Sequence, residues 1–269
     1  MLVPSVTTIT GVTSKPGLQQ WIADQTAAYA VTHIDDLLTR TEEVGWGFLR
    51  YFWKREPKPG EDLRGAHKRV LNDAASIGTN VHEWIEADLM DDFLPEIDSD
   101  ECAQMVDQWL LFKEEHTIEP LLVEVTAVNR EHGYAGTLDG VWVIDGVPTL
   151  VDVKTSRNTW PEHYQQLAAL GACYEVMREV PEGTEGAVAY GKDNVSWWVE
   201  DVMPPFSEYR ILHLRPDDYD SRGNFVPAYC VLEPVDDVDL HFQGFLGALA
   251  LKKYERQLKA RDRERTETI

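Results

Sequence analysis

The stretch of sequence that decides the fold runs from Gly136 to Thr155 and reads GTLDGVWVIDGVPTLVDVKT. At its centre, Asp145-Gly146 is a strong two-residue turn signal, because both central positions of a type I′ turn need a positive φ. Apolar residues with a preference for strands flank this dipeptide on both sides. The sequence therefore predicts a β-hairpin in which Ile144 lies opposite Val147.

The register of this hairpin brings two acidic residues together. Counting outward from the turn places Asp139 opposite Asp152 and Thr137 opposite Lys154. Because side chains alternate along a strand, Asp139, Asp152 and Lys154 are expected to share one face. Opposed like charges destabilise a strand pair, whereas a hard divalent cation binds carboxylate oxygens. We therefore predict a metal site here; the alternative is a one-residue bulge with two solvated acids.

The composition describes an acidic protein with two locally basic stretches. The 269 residues carry a formal net charge of −22, which argues against a nucleic-acid partner unless cationic residues cluster. They do cluster, in residues 50–69 and 252–265. A locally basic groove on an acidic body is compatible with this distribution.

Targeting signals and metal-binding cysteine motifs are not found. No apolar run is long enough to span a membrane, and the N-terminus MLVPSVTTITG lacks a charged leader and an apolar core, so we expect a cytoplasmic protein, in the host cytoplasm if phage-encoded. Cys102, Cys173 and Cys230 are widely spaced, so we expect reduced core residues and no iron–sulfur cluster.

Hydrophobic periodicity divides the chain into three parts of one predicted domain, residues 1–269. Residues 1–118 are predicted to be helical after a short extended or capping lead-in through Thr8, with Pro16 and Ile34 opening helices. Residues 119–234 are predicted to form a mixed sheet, interrupted by a helix from Trp160-Pro161 to Met177. Residues 235–269 are predicted to form a closing helix whose charged end, from residue 259, frays into disorder.

Lys154 suggests what chemistry the acids serve. It ends an apolar strand, where a buried lysine is costly without a function. Hydrolysis of a phosphodiester would provide one, since a divalent ion held by the two acids can activate water and polarise the phosphate. The lysine would then orient the water or neutralise developing charge.

Three further residues are candidates for the same site. His82 lies in an apolar helical pattern and is a candidate ligand; the alternative is a surface pair with Glu86 at i, i+4. Glu124, on the strand before the hairpin, is either a further acid near the metal or the polar member of an alternating strand. Gln166, on the helix after it, can hydrogen-bond a phosphate, or lies on a solvated helix face.

These motifs occur in a known order. A GxxxH helix, a strand with glutamate, GTLDG, VDVKT and a QLAAL helix together resemble the RecB-type branch of the PD-(D/E)xK nuclease superfamily. PSVTTI and KPGLQQW resemble the opening of the small phage and mitochondrial single-strand exonucleases of that branch. The resemblance spans roughly Pro4 to Tyr174. It implies an α/β, restriction-endonuclease-like fold: a central mixed sheet flanked by helices, with a helical N-terminal half.

The resemblance also implies roles for individual residues. His82, Asp139 and Asp152 would be side-chain ligands of Mg²⁺ or Mn²⁺, and the carbonyl of Val153 would be a further ligand. Lys154 would be the catalytic lysine.

In two places the sequence departs from the family pattern. Gln166 would be the glutamine of a QxxxY motif, but Leu170 stands at the tyrosine position, with Tyr164 and Tyr174 nearby. The leading "PD" dipeptide is present only as Leu138-Asp139.

The related CRISPR-adaptation nucleases have a four-cysteine iron–sulfur cluster, which three cysteines cannot provide.

DNA contacts are expected from basic and aromatic residues. Bases of single-stranded DNA stack on aromatic rings while lysine and arginine follow the backbone. The candidates are Arg50, Trp53, Lys54, Arg55, Arg64, Lys68, Arg69, Thr155, Ser156, Arg157 and Tyr164. The alternative for the aromatics of residues 46–53 is that they are core.

Together these features predict a metal-dependent DNA exonuclease of replication, repair or recombination, of phage type. Its partners would be single-stranded DNA or duplex ends, with a helicase or recombinase as protein partner and no membrane. One alternative is a structure-selective endonuclease such as a resolvase. Another is a non-catalytic, acidic DNA mimic or interaction protein on a nuclease fold.

Overall fold

A computed structural model describes residues 3–12, 16–44, 66–190, 196–220 and 222–267. The proposed DNA contacts Arg50, Trp53, Lys54, Arg55 and Arg64 lie outside the described residues, as does the side chain of Arg69. The chain divides into two compact units, one of residues 14–76 and the other of residues 1–13 with 77–269.

Helices and strands have the following bounds. The described helices are α1 (Val6–Thr10), α2 (Pro16–Thr32), α3 (Ile34–Val44), α4 (Ala66–Leu89), α5 (Asp100–Glu115), α6 (Pro161–Gly171) and α7 (Val238–Glu267). The described strands are β1 (Ile118–Asn129), β2 (Tyr134–Ile144), β3 (Val147–Lys154), β4 (Glu175–Val180), β5 (Val188–Tyr190), β6 (Ser196–Val202), β7 (Glu208–Arg215), β8 (Asp218–Tyr219), β9 (Phe225–Val226) and β10 (Tyr229–Pro234).

The smaller unit, residues 14–76, is helical where it is described. It contains α2, α3 and the first part of α4. Pro16 opens α2 and Ile34 opens α3, as predicted, since proline at the first helical position loses no hydrogen bond. Lys68 is exposed on α4.

The larger unit is built on an eight-stranded sheet with the order β10-β7-β3-β2-β1-β4-β6-β5. Strands β3 and β7 are parallel, and the remaining neighbours are antiparallel. The expectation of an α/β protein with a central mixed sheet flanked by helices is confirmed.

The predicted hairpin is also confirmed. Ile144 pairs with Val147, and both turn residues have positive φ, 51° at Asp145 and 84° at Gly146. Backbone pairing ends at Gly140 and Val151, one position before the two acidic residues.

Two hydrophobic cores cover the sheet, one on each face. The first core contains Leu138, Val141 and Leu150 and is covered by α1, α6 and α7. The second contains Trp142 and Val151, with α4 and α5 residues. Leu138 and Val141 lie in the same core although they are three residues apart. Strict alternation would place these two side chains on opposite faces of the sheet, so the alternation is interrupted between Leu138 and Val141, the segment that contains Asp139.

Two predicted boundaries are wrong. α6 ends at Gly171 rather than at Met177, because Glu175–Val180 is a strand whose backbone pairs with both β1 and β6. α7 continues to Glu267 instead of fraying from residue 259, since its Lys, Arg, Glu and Ala residues favour helix. The capping alternative for the lead-in is confirmed: Ser5 Oγ accepts the N–H of Thr8 at 3.2 Å, and α1 begins at Val6.

The last glycine of GTLDG is required by packing. The buried indole of Trp142 covers Gly140, and a Cβ there would lie 1.8 Å from Nε1 of Trp142. No bulkier residue fits unless the indole leaves the second core, so this glycine is part of the hairpin's packing.

Gly140→Ala should therefore destabilise the protein by at least about 2 kcal/mol, because overpacking a rigid core forces side chains from their rotamers. Thermal unfolding followed by circular dichroism measures this. Gly247→Ala is the matched control: no atom lies within 4 Å of its added Cβ, and it lies inside α7, so it should leave stability equal or raised. Equal melting temperatures for the two variants would contradict the packing role of Gly140.

Candidate metal centre

The side chains of His82, Glu124 and Asp139 lie close together and come from three different elements. His82 comes from α4, Glu124 from β1 and Asp139 from β2. One ligand atom from each lies within 4.8 Å of the others, and His82 Nδ1 is 3.8 Å from Asp139 Oδ2. One imidazole and two carboxylates at this spacing can hold a divalent cation.

The approach of α4 to the sheet depends on Gly78. A Cβ on Gly78 would lie 2.9 Å from Oγ1 of Thr155, directly after β3. Glycine therefore lets the helix come close at this point. Four residues later on the same helical face, His82 reaches the acids. This explains the Gly78-to-His82 spacing in physical terms.

Glu124 and Asp139 are brought together by matched irregularities in neighbouring strands. Their register neighbours pair on either side, Val123 with Gly140 and Val125 with Leu138, but Glu124 and Asp139 do not pair through their backbones. Glu124 has φ of 46°, a left-handed conformation that costs a non-glycine residue roughly 1 kcal/mol. Local strain of this kind is characteristic of functional sites.

The carboxylate of Asp139 also replaces the missing ladder between β2 and β3. Val153 donates its N–H to Asp139 Oδ2 at 2.6 Å. The side chain thus satisfies a backbone donor that the strand pair would otherwise leave unpaired. This contact holds Asp139 between His82 and the end of β3.

Behind these groups lies a buried ion pair. Asp152 is 1% exposed, and Lys154 Nζ is 2.5 Å from its Oδ2. Lys154 also donates to the carbonyl of Val153 at 3.1 Å. Among the described residues, neither oxygen of Asp152 has a partner with hydrogen-bond geometry, so this buried carboxylate can still accept a cation.

The acids repel one another and are desolvated. Burial, followed by the nearby Asp139 and Glu86, raises the pKa of Glu124 to about 7, against the opposing effect of Lys154. Burial and Asp139 likewise raise the pKa of Asp152 to about 7, although Lys154 opposes the shift. A cation would remove this repulsion, which is the electrostatic argument that the site fits one.

The two nitrogen-containing groups are shifted in opposite directions. Burial lowers the pKa of His82, with Lys154 acting in the same sense and Asp139 against it, so the imidazole is neutral and its nitrogen can ligate. Burial alone would lower the pKa of Lys154. The charges of Asp152, Asp139 and Glu124 outweigh burial and raise it, so the ammonium persists at neutral pH.

The remaining predicted residues are distributed around this centre. Gln166 and Asp139 line the same cavity. Leu170 is fully buried in the first core, where it packs against the position of Gly136. Tyr174 is 70% exposed after α6, whereas Tyr164 donates from its hydroxyl to Thr159 Oγ1 at 3.0 Å.

Two of the three polar residues after β3 donate hydrogen bonds to backbone carbonyls, and the third lies against α4. Arg157 donates to the carbonyl of Tyr219 at 2.7 Å and lies 3.7 Å from Asp218 Oδ2. Ser156 donates to the carbonyl of Asn158 at 2.8 Å, and Thr155 contacts α4 at Gly78.

Sequence reasoning missed the groups that hold this segment in place. His213 and Arg215 of β7 bond the carbonyls of Ser156 and Thr155, at 2.8 and 2.9 Å. His213 is buried, and its other ring nitrogen lies 3.0 Å from Glu233 Oε1. His213 lies beside Lys154 because β3 and β7 pair in parallel. Predicting this contact from the sequence would have required the order of the strands in the sheet.

Comparisons with known proteins do not identify a family: a scan against protein-family models and a search of curated proteins each found no match. Within the described residues, no helix combines the length and the apolar character needed to cross a bilayer. The chemistry of the metal centre therefore carries the functional argument.

The raised pKa of Glu124 predicts a pH-dependent stability. Its folded pKa of about 7 exceeds the ordinary value of 4.5, so the folded state binds the proton more tightly. Stability from this group is complete below about pH 4.5 and is lost as pH rises through 7. Without metal, Glu124→Gln should melt a few degrees higher than the parent at pH 8 and nearly equally at pH 5.

Added Mn²⁺ should reverse this order at pH 8, because a ligand of the folded state stabilises the parent more than the variant. Glu119→Gln is the control, since Glu119 is exposed on the same strand. Differential scanning fluorimetry of the three proteins, in EDTA at pH 5 and pH 8 and in Mn²⁺ at pH 8, measures these melting temperatures. A Glu124→Gln variant that gains as much from Mn²⁺ as the parent would exclude Glu124 from the ligands.

Proposed function

We propose that the protein is a divalent-metal-dependent DNA exonuclease with a restriction-endonuclease-like fold, acting in replication, repair or recombination. The observation that carries the proposal is the group His82, Glu124 and Asp139 beside the buried pair of Asp152 and Lys154. Carboxylates for a metal and a lysine held beside them are the groups that phosphodiester hydrolysis needs.

The residues divide into holders of the cation and a donor to the substrate. His82, Glu124 and Asp139 offer ligand atoms, and behind them Asp152 offers a buried carboxylate whose Oδ2 is ion-paired with Lys154. A bound divalent ion would polarise the phosphate and lower the pKa of an attacking water. Mn²⁺ or Mg²⁺ suits this set, with the imidazole favouring Mn²⁺.

The raised pKa of Lys154 supports a role in neutralising the charge that develops on the phosphate. An ammonium that persists at neutral pH keeps its positive charge beside the acids. It can donate hydrogen bonds to the phosphate and offset the negative charge that develops there. Its contacts with Asp152 and the carbonyl of Val153 hold it in this position.

The net charge restricts how DNA is bound. A chain with a net charge of −22 does not bind duplex DNA through a broad cationic face. Recognition would depend on local contacts at the metal centre. The acidic net charge favours binding of a few nucleotides at a strand end over extended contact with a duplex. Binding of this kind agrees with exonuclease action and with the motif resemblance.

Replacing Lys154 should separate binding from catalysis. Lys154→Met should reduce Mn²⁺-dependent cleavage of labelled single-stranded DNA by at least about 100-fold, the usual effect of losing one charge-stabilising donor. Calorimetry should show that Mn²⁺ binding survives in this variant and is lost in Asp139→Asn. Lys113→Met is the matched control, because Lys113 pairs with Asp88 at 2.7 Å and lies on α5, which contributes no residue to the metal centre. Parental cleavage by Lys154→Met would refute the assignment.

Circular single-stranded DNA distinguishes the exonuclease from an endonuclease. An exonuclease should degrade a linear oligonucleotide to mononucleotides and leave the ligated circle intact at equal enzyme concentration. Gel analysis of both substrates in Mg²⁺ and in Mn²⁺ provides the comparison. Cleavage of the circle at a similar rate would replace exonuclease by endonuclease while retaining the metal centre.

A further inference from the structure

A cavity of about 440 Å³ lies against the metal centre and shares Asp139 with it. This volume falls in the range of small-ligand sites, roughly 300–1,000 Å³. Its polar wall consists of Ser5, Thr7, Thr126, Thr137, Asp139 and Gln166.

The cavity is part of the fold and not a gap between loops. Thr126 and Thr137 are directly opposite each other in the β1–β2 ladder, so their side chains stand side by side. The chain before α1 closes another side: the carbonyl of Pro4 accepts the N–H of Ala135 at 3.3 Å, and Ser5 bridges to the same residue. Gln166 reaches the cavity from α6.

The polar groups of this wall are free to bind a ligand. Among the described residues, the hydroxyls of Thr126 and Thr137 and the amide of Gln166 have no hydrogen-bond partner. The hydroxyls of Ser5 and Thr7 bond mainly to each other and to Thr8. Unpaired donors and acceptors on opposite walls fit a ligand with neutral polar edges.

The charge of the wall selects the kind of ligand. Within the described residues, no lysine or arginine lines the cavity, and Asp139 contributes a carboxylate. A second phosphate group would meet repulsion here without a compensating cation. A sugar and base carry hydroxyl, carbonyl and amino groups without charge, and these match hydroxyl and amide partners.

We propose that this cavity binds the nucleoside of the terminal nucleotide, next to the phosphate that is cleaved. The inference rests on the proposed function, since Asp139 belongs to both the cavity wall and the metal centre. Thr126, Thr137 and Gln166 hydrogen-bond the sugar and base. The volume admits one nucleoside, so the expected cleavage product is a single nucleotide.

Direct binding tests the site without any cleavage. Thymidine and inorganic phosphate are titrated separately into ¹⁵N-labelled protein in EDTA, with amide chemical shifts as the readout. Thymidine should shift residues 126, 137 and 166, whereas phosphate should not. The double variant Thr126→Val, Thr137→Val should bind thymidine about tenfold more weakly, because it loses two hydrogen bonds and keeps its shape.

Thr117→Val is the matched control, since Thr117 precedes the opposite end of β1, near Asp145. It should bind thymidine like the parent. Stronger binding of phosphate than of thymidine, or parental thymidine binding by the double variant, would overturn the nucleoside assignment.

Cleavage kinetics then link the cavity to the reaction. With Mn²⁺, the double variant should show a KM about tenfold higher than the parent at a nearly unchanged kcat. The rise in KM should be smaller for oligonucleotides with an abasic terminal residue, because only the contacts to the sugar are then lost. Equal KM values on normal ends would refute the role in cleavage. If thymidine binds as expected but the parent cleaves no DNA, the nuclease proposal fails and the nucleoside site stands.

Discussion

Three carboxylates and one ammonium are held together in a region that excludes most water, and the rest of the large unit is arranged around this charge cluster. Glu124, Asp139 and Asp152 would repel one another there. Lys154 offsets part of this repulsion from the buried side. Burial raises the pKa of Glu124 and of Asp152, and repulsion from Asp139 adds to both shifts, so a further positive charge would stabilise the ionised cluster.

The scaffold accepts local costs to make this cluster. β1 bends at Glu124 into a left-handed conformation, and the β2–β3 ladder stops one residue before its acids. Asp139 compensates by accepting the N–H of Val153, so the interrupted ladder leaves no orphan donor at that point. Rigid packing on both faces of the sheet holds these irregularities, with Trp142 over Gly140 on one face.

The same arrangement separates two functions of neighbouring side chains. Groups on the α4 side, led by His82, offer ligand atoms. Groups on the α1 and α6 side, led by Gln166, line a polar cavity whose one charged group among the described residues is Asp139. Asp139 lies between the two, so a molecule in the cavity would be adjacent to a cation at the cluster. His213 and Arg215 stabilise the segment after Lys154 by bonding the carbonyls of Ser156 and Thr155.

The sequence by itself determined the hairpin, its turn and the mixed α/β class, because turn chemistry and apolar alternation are local properties. It also singled out His82, Asp139, Asp152, Lys154 and Gln166 as candidates, with Glu124 as a candidate further acid. Only the tertiary structure decided that Glu124, rather than Asp152, groups with His82 and Asp139, because a positive φ and an offset in alternation cannot be read from residue types. The contacts of His213 and Arg215 with the segment after β3 likewise depend on the parallel pairing of β3 with β7. These strands are more than fifty residues apart, and local sequence does not encode their pairing.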